Sequence, residues 1–264
     1  MRELLERHGL RADKGFGQNF LVDEGVLRSI VAAAELGPQS TVLEVGPGLG
    51  VLTRELAARA GRVISVELDR RLLPVLQETL AGLGNVTLVH GDGLTFDLSC
   101  LPEGSAMVAN LPYNVGTPIL VRALESGRFA RVVVLLQREV AERLSATPGT
   151  PAYGALSVVV AHFGRARSVR LVKPSAFSPP PEVTSSVVRL DLTPGRAPDP
   201  ALFRLVRHAF AHRRKTLKKN LLMAGYPAER VARALQTLGL EAQVRAERLS
   251  VEQFRALRQE LEGG

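Results

Sequence analysis

The sequence predicts an α/β fold, a Rossmann-like, doubly wound parallel sheet with a small C-terminal all-α domain. Three observations carry this. At residues 41–50, TVLEVGPGLG passes from an apolar, β-branched run (Val42, Leu43, Val45) through three glycines into a helical repeat of Leu49, Leu52, Leu56 and Ala60. Three more apolar strands follow, over 62–66, 86–89 and 106–109, and a polar residue stands at or just past the end of each: Glu67, Asp92 and Asn110. Beyond TPGRAPDP (193–200) the pattern turns wholly helical, so the domains divide there, 1–195 and 196–264.

Taken in order, residues 1–14 read as a short helix and a basic arm. GFGQNFLVD (15–23) ends at Asp23, an N-cap for a helix over 24–35. The amides Gln18 and Asn19 stand just before that helix and can hold a polar ligand, although taken alone an ordinary turn explains them better. The 41–50 loop brings backbone close to a ligand at a helix N-terminus. It does not match G-x-G-x-x-G, because Val51 stands where the third glycine would be, and Glu44 would repel a pyrophosphate but suit a cation. Asp69 is a cap for a helix over 70–81. Glu67, at the end of the second strand, stands where such folds grip ribose hydroxyls. Asp92 either accepts from an adenine amino group or makes a D-G turn, and N-L-P-Y (110–113) either holds a ligand or simply ends a strand.

Further strand signals lie at 132–136, 165–172 and 183–192, the last two alternating as antiparallel edge strands joined through Phe177-Ser178-Pro179-Pro180-Pro181. REVAERL (138–144) is helical, and 153–163 fits helix or strand equally. Helices are predicted near 201–211, 214–223, 228–238 and 251–261, the last with a Ser250/Gln253 capping box.

With 264 residues, 45% of them hydrophobic, the chain can bury a core. It has no run of about 20 apolar residues and no signal-peptide layout, so a soluble, cytoplasmic protein without a membrane partner is expected. One cysteine excludes an internal disulfide. His208 and His212 lack the intervening glutamate of a zinc motif, and no metal is expected. The net charge of +8 is uneven: residues 196–264 hold 14 Lys/Arg against 7 Asp/Glu, leaving +1 for residues 1–195. An anionic partner therefore docks on the last quarter, where Arg213, Arg214, Lys215, Lys218 and Lys219 form a cluster with no acid between 200 and 228. Of five asparagines, Asn19, Asn110 and Asn114 fall in the motifs above.

GQNFL (17–21), EVGPGLGVLT (44–53), VELD (66–69), GD (91–92), NLPYNVGTPIL (110–120), QREVAERL (137–144), FSPPPEVTSSVVRL (177–190) and HRRKTLKKNL (212–221) together span almost the whole chain. In these boxes the chain resembles the small-subunit (16S) rRNA adenine N6-dimethyltransferases of the KsgA/RsmA type. The resemblance implies a class I methyltransferase sheet and S-adenosylmethionine as cofactor. Its implied cofactor ligands are Gln18, with Asn19 and Leu21 at the methionine end, the Gly46–Gly48 loop, Glu67 at the ribose, Asp92 at the adenine and Asn110 between both ligands. The implied reaction dimethylates two adjacent adenines near the 3′ end of small-subunit rRNA during ribosome biogenesis, on a pre-assembled small subunit. Adenine N6 is a poor nucleophile because its lone pair is delocalised, so catalysis is mostly positioning and electrostatics. The Asn110 side-chain oxygen and the Leu111 carbonyl can accept the two N6–H bonds, Pro112 stiffens that carbonyl, Tyr113 offers a face to a flipped base, and the resemblance suggests Phe177 as the second face.

Three other readings share parts of this pattern. A nicotinamide-dependent oxidoreductase shares the loop and Glu67 but leaves NLPY unexplained. A non-catalytic RNA-binding assembly factor keeps the basic domain. A large-subunit rRNA adenine dimethyltransferase of the Erm type shares the catalytic domain, and the long region from FSPPPEVTSSVVRL to RRKTLKKNL favours the small-subunit enzyme.

Overall fold

The computed structural model describes residues 2–10 and 18–262. The basic arm expected over 11–14, and Gly15, Phe16 and Gly17, lie outside the described residues. In chain order the first elements are α1 (Arg2–Arg7), β1 (Phe20–Leu21), α2 (Glu24–Ala34), β2 (Thr41–Val45), α3 (Val51–Ala57), β3 (Arg62–Glu67), α4 (Leu73–Thr79) and β4 (Val86–His90). There follow β5 (Ser105–Asn110), α5 (Gly116–Glu125), β6 (Phe129–Gln137), α6 (Arg138–Ser145), α7 (Ala155–Phe163), β7 (Gly164–Val172), β8 (Phe177–Ser178) and β9 (Ser185–Leu192). The C-terminal helices are α8 (Pro200–Ala209), α9 (Leu217–Met223), α10 (Ala228–Thr237) and α11 (Val251–Glu262).

Among the described residues, seven strands form one sheet in the order β4-β3-β2-β5-β6-β9-β7, and β1 pairs with β8 in a separate two-stranded ladder. The first five are mutually parallel; β9 runs antiparallel to β6. From β2 the chain builds outward through β3 and β4, then returns to the other side of β2 for β5. That reversal makes β2 and β5 neighbours (Val42↔Ala106, Leu43↔Met107) and opens a crevice at their carboxyl ends. The central strands are mostly apolar, as strands covered on both faces require, with Glu44 on β2 and Ser65 on β3 among the buried polar exceptions.

Local signals place the elements well. Asp23 caps α2 by accepting from the Val26 amide at 2.9 Å, and Ser250 and Gln253 exchange bonds of 2.9 and 3.3 Å in the capping box. Two expectations change and one open reading closes. Residues 183–192 were expected to form an edge strand, but β9 lies inside the sheet, with Val187, Val188 and Leu190 fully buried; of the two strands read as edges only β7, exposed at most positions, is one. The helix expected over 70–81 is a short 3-10 turn at Arg70–Leu72 followed by α4, because Pro74 interrupts the first helical hydrogen bonds. The ambiguous 153–163 segment is helical from Ala155 to Phe163.

At the far end of α2, Arg189 on β9 and Arg131 on β6 donate to the Ala33 and Ala34 carbonyls at 3.0 and 2.8 Å. Both also pair with Glu35 and Asp191. Two cations thus satisfy carbonyls that a helix leaves open at its C-terminus.

The chain divides into two compact units, residues 1–141 with 166–195, and residues 142–165 with 196–264. The segment boundary read at 193–200 is one crossing point, but the single cut omits 142–165 from the second unit. The reason is α7, apolar nearly all round. Tyr153 and Val158 share a core with Leu202, Leu205, Leu221, Phe254 and Leu257. The Tyr153 hydroxyl donates to the Leu249 carbonyl at 2.8 Å. Because 142–165 adds Glu142, Arg143 and Arg165, the second unit carries the chain's whole formal excess of +8. Among the described residues no helix is long and apolar enough to cross a membrane.

Between α3 and β3, Gly61 has no room for a side chain: a Cβ there would stand 2.1 Å from the Pro38 carbonyl oxygen. Gly61→Ala is expected to destabilise the first unit by about 1–3 kcal/mol, since backbone must shift to admit the methyl group. Denaturant unfolding of the variant measures this.

Candidate active site

The crevice at the carboxyl ends of β2, β3, β4 and β5 is a cleft of about 280 Å³. Its lining includes every residue expected to hold a cofactor: Gln18, Asn19, Leu21, Gly46, Gly48, Glu67, Asp92 and Asn110. It also takes in Leu111, Pro112 and Tyr113. Five segments distant in sequence thus converge, four of them because each follows a strand of one parallel sheet, and the fifth, residues 18–21, from the segment before α2.

The glycine loop is locked from below. Gly46 and Gly48 have φ of +70° and +59°, a region that suits glycine, and the Gly46 amide donates to the Val66 carbonyl at 2.9 Å. A Cβ on Gly48 would come within 3.0 Å of the Phe20 ring. The Gly48 amide donates to Glu67 Oε2 at 3.2 Å, and the Asp69 amide to Oε1 at 2.8 Å. Each carboxylate oxygen of Glu67 keeps acceptor capacity toward the cleft, as a hydroxyl-binding group needs. Burial pushes the Glu67 carboxyl up, against those two amide bonds. Asp69 caps the 3-10 turn and also accepts from Gln18 Nε2 at 2.8 Å. Burial opposes its charge, yet the bonds from Arg71 and Gln18 hold it below the usual carboxylate range. One oxygen of Asp92 accepts from the Leu94 amide at 2.8 Å. Gly93 beside it is confined, since a Cβ would meet Val45 Cγ1 at 2.5 Å.

Glu44 is the deepest charge in the lining, 1% exposed. Its Oε2 accepts from Thr53 on α3 at 2.6 Å and from Ser65 on β3 at 2.8 Å, tying helix and strand to β2. Burial pushes its carboxyl up to about 7, opposed by the two hydroxyl bonds and assisted by the charge of Glu67. Sequence reasoning did not single out Thr53 or Ser65. The signal available was a serine inside the apolar run RVISV, where a hydroxyl needs a buried partner.

The N-L-P-Y turn is oriented by two bonds from outside it. Asn110 Nδ2 donates to the Asn19 backbone carbonyl at 3.0 Å, which leaves its side-chain oxygen as the acceptor end. The Leu111 amide donates to the Leu135 carbonyl at 3.3 Å, while the Leu111 carbonyl accepts no bond among the described residues. Tyr113 meets Ser185, a residue sequence reasoning missed. Phe177 is brought near by the register Leu21↔Phe177, but it is 3% exposed, belongs to the core cluster containing Ile30 and Val187, and does not line the cleft.

In the second unit, Arg213, Arg214 and Lys215 lie on the turn before α9 and Lys218 and Lys219 in its first turn, since the helix expected near 214–223 begins only at Leu217. Thr216 caps the helix, and Asn220 anchors it through Nδ2 bonds to the Ala209 and His212 carbonyls at 2.7 and 3.2 Å. Arg213 donates to the Pro151 carbonyl at 2.8 Å. Among the described residues none of the five cations pairs with a carboxylate.

Acids for hydroxyl and amino groups, a further acid for a cationic group and a loop that admits close backbone approach suit S-adenosylmethionine chemically. Gly48→Val is expected to remove cofactor binding in a folded protein, by straining a positive φ and displacing Phe20; calorimetry with S-adenosylmethionine measures this. Glu44 supplies a second expectation. Its carboxyl ionises near the ordinary 4.5 when unfolded and near 7 when folded. The folded state therefore holds the extra proton between those values, and stability falls as pH rises from 4.5 to 7, by at most about 3 kcal/mol. Glu44→Gln should lose that slope, which thermal unfolding at pH 5 and pH 8 reads.

Comparison with known proteins bears on the same residues. A family model described as "Ribosomal RNA adenine dimethylase" matches residues 9–262. The chain is 49% identical over 258 residues to "Ribosomal RNA small subunit methyltransferase A" of Deinococcus radiodurans, covering 97% of this chain and 88% of that protein. Among solved structures it is similar to a dimethyladenosine transferase from Plasmodium falciparum, with a TM-score of 0.79, 28% identity, and coverage of 90% of this chain and 95% of that one. It is also similar to the 23S rRNA methyltransferase ErmE, with a TM-score of 0.74, 31% identity, and coverage of 92% and 100%. With a match of this length over the residues that build the cleft, the chain belongs to the ribosomal RNA adenine dimethylase family.

Proposed function

We propose that this chain dimethylates N6 of two adjacent adenines near the 3′ end of small-subunit rRNA, using S-adenosylmethionine, in the cytoplasm during ribosome biogenesis. The observation that carries the reading is the Asn110–Tyr113 turn in one cleft with Glu67 and Asp92, so that a base site adjoins a nucleoside-like cofactor site. Identity of 49% to a small-subunit enzyme against 31% to the large-subunit ErmE supports the small-subunit substrate.

S-adenosylmethionine supplies an electrophilic methyl group when bound. Glu67, anchored by the Gly48 and Asp69 amides, accepts from the ribose hydroxyls, and Asp92 offers its remaining oxygen to the adenine amino group. Asn19 and Leu21 would hold the methionine end, with Gln18 beside them in the lining. On the substrate side, the Asn110 side-chain oxygen and the Leu111 carbonyl accept the two N6–H bonds and draw the nitrogen lone pair out of conjugation. Neutral acceptors suffice, because the product amine can lose its proton afterwards. Tyr113 stacks on the flipped base. Phe177 is the second face in this reading, and it serves a base only after its ring turns out of the cluster in which it now packs.

The partner is rRNA within a partly assembled small subunit. The first unit is formally neutral, whereas the second carries +8 and the cluster from Arg213 to Lys219, so the second unit grips RNA backbone while the first holds the flipped base. Methyl transfer is to be compared on naked small-subunit rRNA, unmethylated small-subunit particles and large-subunit particles. The small-subunit particle should be preferred; preference for naked RNA overturns the assembly claim, and activity confined to large-subunit particles assigns the chain to the Erm type. Changing Arg213, Arg214 and Lys215 to Ala should lower the log–log salt slope of RNA binding by about 0.7–0.9 per lost phosphate contact. Asn110→Ala should slow turnover by roughly two to three orders of magnitude, the cost of one preorganised polar contact, as single-turnover kinetics would show.

A further inference from the structure

We propose that Ser185 is a positioning residue for methyl transfer, holding the Tyr113 ring in place through its phenolic hydroxyl. This rests on the reading of Tyr113 as the stacking face for the target base. The Tyr113 hydroxyl and Ser185 Oγ are 2.5 Å apart, across 72 residues of sequence. Ser185 is fully buried and does not line the cleft, so it touches neither ligand site itself. Among the described residues its hydroxyl has no other hydrogen-bond partner.

The backbone of Ser185 cannot drift. It is paired in register with Gln137 of β6, and the preceding Thr184 carbonyl accepts from the Arg138 amide at 2.9 Å. Ser185 is buried in the same strand as Val187, Val188 and Leu190, all fully buried, and a hydroxyl at such a position is costly unless it is bonded. The bond to Tyr113 satisfies it. At its other end the Tyr113 ring hangs from a turn by two rotatable bonds. A fixed hydroxyl therefore sets the direction of the ring axis, and because the phenolic O–H lies in the ring plane by conjugation, the bond's direction also orients the face against which a base lies, before any base arrives. Burial pushes the Tyr113 phenol up, so it stays neutral and can take either role in the bond.

The test uses the full chain as wild type, Ser185→Ala, Tyr113→Phe and the double variant, with unmethylated small-subunit particles as substrate. Ser185→Ala and Tyr113→Phe should each slow single-turnover methyl transfer by about ten- to a hundredfold, the range of a small misplacement. Affinity for S-adenosylmethionine should stay unchanged in both. The double variant should be no slower than the slower single one, because both remove the same bond. An independent reading comes from the three tyrosines of the chain, whose ring carbons can be labelled with 13C: Ser185→Ala should shift the Tyr113 resonance. Wild-type turnover in either single variant, losses that multiply in the double variant, or an unmoved Tyr113 resonance would each overturn the proposal. Tyr113→Phe leaves the sheet untouched, so it decides the matter even if Ser185→Ala does not fold. Should the wild-type chain transfer no methyl group to adenine, the functional reading fails, while the ring resonance still decides whether Ser185 holds Tyr113.

Discussion

The pairing of β2 with β5 is the constraint on which the site depends. A chain that had continued outward from β4 would have left the glycine loop and the N-L-P-Y turn several strands apart. Returning to the free side of β2 places them side by side, with the Asn110–Asn19 bond closing the cleft between segments 91 residues apart. The loops after β3 and β4 complete the wall on the other side. A small polar group at the end of each strand is thereby multiplied into one constellation, the general advantage of a parallel sheet with a switch in strand order.

Two buried acids stiffen that constellation at a cost in solvation. Glu44 and Glu67 both lose water, and burial raises both carboxyls, yet each is matched to donors that belong to different elements. Glu44 joins β2 to α3 and β3, and Glu67 joins the glycine loop to the turn after β3. These groups weaken the fold near neutral pH and in exchange hold backbone amides and acceptors where a ligand meets them. The same logic extends to Tyr113, whose ring is set by a hydroxyl that never reaches the cleft.

Charge is divided between the units as chemistry is. The first unit encloses a small, partly apolar site and carries no net charge, which suits a pocket that must hold one base and one cofactor. The second is a helical core whose outer turn before α9 presents cations without carboxylate partners among the described residues. Its anchoring residue, Asn220, uses its amide to hold two backbone carbonyls, as Asn85 does at the end of α3.

By itself the sequence determined what is local. Strand and helix periodicity, the caps at Asp23 and Ser250, the glycine loop, and the polar residues ending β3 and β5 are all readable because each depends on neighbours within a few positions. The residue boxes were specific enough to carry the family and its cleft. What only the tertiary structure decided depends on partners far apart in sequence. The interior place of β9, the passage of 142–165 into the second unit and the withdrawal of Phe177 into the core follow from which faces are covered, and a short apolar run does not state that. The bonds of Ser65 to Glu44 and of Ser185 to Tyr113 were hidden for the same reason: a serine in a strand announces that it needs a partner, but strand order and register choose which one.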